Sequence, residues 1–172
     1  METIEQVRIK KFITHVAKTS NKFKENKYIK INNNSIYSSN LNRFARNIVM
    51  RNLHDYLISS MVENNLNKLT NPPYQVSLII YAPINYGDVR RLHRKGEPYL
   101  AWNPPKSDYI PTWDIGNLGE IWLKAFEDAL QLGGYIENDT IKYISSHGPI
   151  TFKPVSSLEE RTLIFKIQQL NL

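Results

Sequence analysis

The chain has 172 residues, with 22 Lys and Arg against 16 Asp and Glu and a formal charge of +6. Such a length suits a single domain, 1–172, with a genuine core, and the absence of cysteine excludes disulfides and thiolate metal sites. The apolar runs are short and broken by Lys and Arg, which argues against a signal peptide or a membrane span, so a cytoplasmic protein with no membrane partner is expected. The basic balance favours an anionic partner without saying which.

In chain order, Val7, Ile9 and Ile13 alternate as in a strand, while Ile9, Phe12, Ile13 and Val16 also fit one helix face. Next come Lys18, Lys22, Lys24, Lys27 and Lys30, interleaved with Phe23 and Tyr28. This composition fits a loop that tracks phosphates and stacks bases, and equally a solvated loop. Tyr28 to Ile31 and Ile36-Tyr37 flank four turn-forming residues, Asn32 to Ser35, which predicts a small hairpin. Ser38-Ser39 offers an N-cap for a helix over 40–63, with Leu41, Ala45, Ile48, Leu53, Tyr56, Leu57 and Met61 on its apolar side. His54, in the middle of that helix, has no acidic partner at a useful spacing and reads as structural.

A polar linker closed by Pro72-Pro73 leads to Tyr74–Pro83, whose β-branched and aromatic content predicts a central strand. Residues 84–112 show no clear period but carry Arg90, Arg91, His93, Arg94, Lys95 and Lys106 among Tyr86, Tyr99, Trp102 and Tyr109. They read as a long basic loop delivering the chain to Asp114, and by that position as functional rather than merely solvated. Thr140 to Ser146 reads as a strand, His147-Gly148-Pro149 as a turn with an exposed histidine, and Arg161 to Ile167 as a last strand. Strands before and after two main helices give an α+β (mixed α/β) fold, the helices packed on a small mixed sheet.

The chain is organised around residues 113–143. Asp114 is a natural N-cap, Leu118, Ile121, Trp122, Ala125, Phe126, Ala129 and Leu130 recur at helical steps, and Gly133-Gly134 supplies the stop near Leu132. Asn117, Glu120, Lys124 and Asp128 occupy the opposite side, and Asp139 is expected at the start of the following strand. Carboxylates converging from Asp114, Glu120 and Asp139 would suit a hard divalent cation, with Asp108 a weaker candidate. A plainer account makes Asp114 a cap, Glu120 and Lys124 an i, i+4 pair, and Asp139 a turn residue; on spacing alone it has the advantage.

Lys124-Ala125-Phe126-Glu127-Asp128-Ala129-Leu130, the Gly turn and Asn138-Asp139 resemble the core motif of the RusA-type Holliday junction resolvases: Asp-x-Asp-Asn-Leu-x-Lys, a helix ending in Asp-Ala-Leu, a Gly-containing turn and an acidic pair. Asp114-Ile115-Gly116-Asn117-Leu118 is similar to its front half, with Gly116 at the second Asp; counted back from Lys124, Glu120 occupies that place. The resemblance favours a strand at the N-terminus, with Thr19 to Phe23 similar to the family's Pro-Ser-x-Asn loop. It implies a homodimeric endonuclease of bacterial, phage or prophage type that nicks four-way DNA junctions, using Mg²⁺ or Mn²⁺. It further implies Asp114, Glu120 and Asp139 as metal ligands, Lys124 as a catalytic cation, and Lys22, Lys24, Lys27, Arg90, Arg91, Arg94 and Lys95 as DNA contacts.

Overall fold

The computed structural model describes residues 2–18, 28–83, 89–94, 97–102, 115–138 and 140–171. Along the chain these form β1 (Glu2–Lys10), β2 (His15–Ala17), β3 (Tyr28–Lys30), α1 (Asn33–Ile36), α2 (Arg43–Glu63), β4 (Tyr74–Pro83), β5 (Val89–Arg94), β6 (Glu97–Trp102), α3 (Ile115–Leu132), β7 (Ile144–Val155) and β8 (Thr162–Gln169). The fold is α+β. A four-stranded mixed sheet in the order β1-β8-β4-β7 is accompanied by the two-stranded pairs β2-β3 and β5-β6.

Alternation makes one face of the sheet a core. Val7 and Ile9, Leu163, Phe165 and Ile167, and Val76, Leu78 and Ile80 are all buried, and cross-strand pairing puts them on the same side. Both long helices cover that side. From α2 come Val49, Leu53, Leu57 and Met61, and from α3 Ile121, Trp122, Ala125, Phe126, Ala129 and Leu130. The Phe126 and Phe165 rings stack at 4.1 Å with 2° between their planes, while Trp122 meets the edge of Phe12 at 6.1 Å. Because β4 and β7 run parallel, they require a crossover connection, and α3 lies within it.

Helix α3 ends in a Schellman motif. Tyr135 N donates to Leu130 O at 2.9 Å and Gly134 N to Gln131 O at 3.0 Å, with Gly134 at φ +79°, where glycine avoids the Cβ penalty. The edge strand β1 is closed on its free side by Asn64, which accepts from Arg8 N and donates to Arg8 O, both at 3.0 Å.

Several sequence expectations are corrected. The Asn run does not turn a hairpin: β3 pairs with β2, and Asn32 caps α1 by accepting from Ser35 N at 2.7 Å. Helix α2 begins at Arg43 rather than near 40, because Asn42 accepts from Ala45 N and Arg46 donates to the carbonyls of Ile36, Ser38 and Leu41, holding the preceding turn. Val49, not Ile48, fills the core from this turn of the helix. The basic stretch contains the antiparallel pair β5-β6, with Arg90, Arg91 and Arg94 at β5 backbone positions. Residues 140–143 are turn rather than strand, and β7 runs straight through His147-Gly148-Pro149. The pairing of Val76 with His147 and Leu78 with Ile150 inserts an extra β7 residue there, a bulge. Gly148 suits it because a Cβ would stand 2.7 Å from Ser77 Cβ.

Candidate active site

At 3.6 residues per turn, Glu120, Lys124, Glu127 and Gln131 fall on one stripe of α3, away from its buried side. That stripe borders a groove of about 640 Å³ lined by Asn33 and Tyr37 from the α1 region, Glu120, Leu123 and Lys124 from α3, and His147, Gly148 and Ile150 from β7. Asn33 Nδ2 donates to Glu120 Oε2 at 3.2 Å. Glu120 and Lys124 are both exposed. Lys124 Nζ lies 3.9 Å from Asp128 Oδ2, an exposed i, i+4 contact worth a few tenths of a kcal/mol at most.

His147, on the groove wall, belongs to a pair that local spacing does not reveal. His147 Nε2 lies 2.8 Å from Glu127 Oε1 and 3.1 Å from Oε2, toward which its hydrogen bond is directed. The Glu127 side chain is only 12% exposed, against 63% for His147. Burial pushes the Glu127 carboxyl above its usual range, and the adjacent His147 opposes that shift. A histidine held by a carboxylate through Nε2 has its tautomer set, with Nδ1 carrying the lone pair. His147 is exposed as expected, but it sits in β7 rather than in a turn, and it has a partner twenty residues away. His54 Nε2 lies 3.5 Å from Asp128 Oδ2 between α2 and α3, a charge contact without a hydrogen bond.

Of the site residues expected from the sequence, Glu120 and Lys124 are brought together. Asp114, Asp139, Asp108, Lys22, Lys24, Lys27 and Lys95 lie outside the described residues. The chain neighbours of position 139 follow the far end of α3: Tyr135 and Ile136 bond back to Leu130 O, and Tyr143 O accepts from Tyr74 N at the start of β4. Glu120 sits in the second turn of the helix, about 18 Å before its last residue at 1.5 Å per residue.

Among the described residues no group of three His, Cys, Asp or Glu side chains is placed to hold a metal ion. Glu120 nevertheless fits the Mg²⁺ mode that uses one or two carboxylates with water and substrate phosphate, because it is exposed at the groove with one oxygen held by Asn33. Among the described residues no helix is long and apolar enough to cross a membrane. Comparison with protein-family models, with curated proteins and with solved structures finds no match to this chain.

Proposed function

We propose that this chain is a metal-dependent endonuclease of branched DNA, acting on four-way junctions as a homodimer. The observation that carries the reading is the groove, where the Glu120 carboxylate, the Lys124 amine and a histidine tethered to a buried glutamate border one open space. Phosphodiester hydrolysis uses such a set: an anchor for a divalent cation, a cation for the charged phosphate, and a base for water. The net charge of +6 and the RusA-like run from Lys124 to Leu130 support nucleic acid as substrate. A twofold pair of subunits accounts for two symmetric nicks.

In this reading Glu120 holds Mg²⁺, or Mn²⁺ in its place, with Asp114 as a second carboxylate; the ion supplies positive charge where the phosphate gains negative charge. Asn33 fixes the Glu120 rotamer. Lys124 neutralises a non-bridging phosphate oxygen, and His147 Nδ1 accepts the proton of the attacking water while Glu127 steadies the imidazolium. Gly116, standing where the family motif has a carboxylate, favours a second reading in which the chain binds junctions without cutting them.

The test is end-labelled four-way junction incubated with Mg²⁺, Mn²⁺ or EDTA. Paired nicks that vanish with EDTA and in Glu120→Gln are expected. Intact junctions under all metal conditions refute the nuclease reading, and retained binding in those samples establishes the second.

A further inference from the structure

The groove lies on the helix-covered side of the sheet, and the other side carries a separate chemical pattern. Cross-strand pairing aligns Lys10, Thr162, Tyr81 and Lys153 in one row, Arg8, Ile164, Ile79 and Thr151 in the next, and Gln6, Lys166 and Ser77 in a third. Alternation turns these residues away from the core formed by Val7, Ile9, Val76, Leu78 and Ile80. Arg8, Lys10 and Lys153 are exposed and Lys166 is partly so. Lys153 Nζ lies over the Tyr81 ring, 5.9 Å from its centroid, which places that cation.

No carboxylate occupies any of these rows. The nearby acids lie outside these rows: Glu5, next to Gln6 on β1, accepts from Asn67 Nδ2 at 2.8 Å, Glu63 at the end of α2 borders a pocket with Arg8 and Lys10, Glu159 pairs with Lys11 at 2.7 Å, and Glu160 accepts from Ser156 N and Oγ, both at 3.1 Å. Among the described residues both long helices pack on the opposite face. Lysines on the edge strands β1 and β7 would be explained by protection against edge pairing. Lys166 is on β8, an interior strand, where edge protection gives no reason for it, and a face built for solubility alone would mix both signs.

We infer that the outer face of the sheet, through Arg8, Lys10, Lys153 and Lys166, binds the phosphate backbone of duplex DNA. Strands about 4.8 Å apart and rows about 6.8 Å apart spread the four charges over roughly 14 Å in each direction. A duplex carries one charge per about 1.7 Å, so roughly eight phosphates fall within that length and four cations neutralise about half. The choice of DNA rests on the proposed function, and the face would hold an arm of the substrate remote from the groove.

The test uses the whole protein, a short fluorescein-labelled duplex and EDTA, with anisotropy measured over a salt series. Each lost contact reduces the slope of log K against log salt by about 0.9. Lys153→Gln and Lys166→Gln are each expected to show that change, and the double variant about 1.8, with Lys68→Gln, an exposed lysine elsewhere, unchanged and circular dichroism as the folding control. Slopes equal to wild type in the folded variants overturn the inference, as does binding to phosphatidylserine vesicles without binding to DNA. A wild-type protein that shows these slopes yet never cuts junctions leaves the face standing and removes the nuclease reading; one that cuts while the slopes stay fixed does the reverse.

Discussion

Replacing Phe126 with alanine probes the contact that pins α3, and with it the groove, to the sheet. Phe126 and Phe165 are both fully buried, and their stacked rings join the middle of the helix to the interior strand β8. Phe→Ala in a packed core costs about 3–5 kcal/mol through lost transfer energy and the cavity left behind. Within that, the ring pair accounts for about 0.5–1.5 kcal/mol. A domain of this size has about 5–15 kcal/mol in total, and each kcal/mol moves the melting temperature by about 2–4 °C. A loss near 4 kcal/mol therefore predicts a drop of about 8–16 °C in calorimetry and a matching shift in a urea midpoint. Phe126→Leu, Phe165→Leu and the double variant complete a cycle whose coupling should equal the ring-pair contribution, about 0.5–1.5 kcal/mol. A Phe126→Ala loss within about 0.5 kcal/mol, the range of an ordinary surface change, would refute the claim that this stack anchors the helix.

Four further outcomes are expected. Because burial raises the Glu127 carboxyl above its ordinary 4.5, the folded state binds that proton more tightly than the unfolded one, and wild type should lose stability as pH rises from 4.5 to the raised value; in Glu127→Gln this part of the slope should disappear from urea titrations across that window. His147→Ala should reduce junction cleavage by about 10²–10⁴-fold, the range for a general base, while leaving affinity in EDTA unchanged; undiminished cleavage would remove His147 from the mechanism. Gly134→Ala should cost about 1–2 kcal/mol by forcing a Cβ into the left-handed region, measurable by thermal denaturation. Asp139→Asn should keep both junction binding in EDTA and Mg²⁺-dependent nicking, because its chain neighbours follow the end of α3 away from Glu120; a folded variant that loses nicking would return Asp139 to the metal site.

The parts legible in the sequence were those governed by local chemistry. Strand β4 matches the run Tyr74–Pro83, and the stop of α3 matches Gly133-Gly134, since β-branching and a left-handed glycine act on their own neighbourhoods. Strand β7 was hidden because Gly148-Pro149 is a strong local turn signal; parallel pairing with β4 and a bulge at the close approach to Ser77 override it. The β5-β6 pair was hidden because Arg90, Arg91 and Arg94 interrupt any apolar alternation. At the site, Glu120 and Lys124 were readable from helical spacing. The pairs Glu127 with His147 and His54 with Asp128 join residues from different elements, so no local window contains them. One trace was available: Glu127 stands between Leu123 at i−4 and Leu130 at i+3, at the border of the apolar side of α3, a position where a carboxylate calls for a partner.

The place of β8 has a consequence for how the chain is made. Residues 162–169 form an interior strand, bonded to β1 on one side and β4 on the other. During synthesis β1 emerges well before β8, and among the described residues it has no other partner in this sheet until residues 162–169 leave the ribosome. Until then the nascent chain must hold the apolar faces of β1 and β4 apart from other chains, a task that falls to early helix packing or to chaperones. Closure by such long-range pairing also predicts slow folding for a chain of this length. A ribosome stalled before residue 162 would carry α2 and α3 with β4 and β7 paired and β1 cut off from them, a species exposed to aggregation.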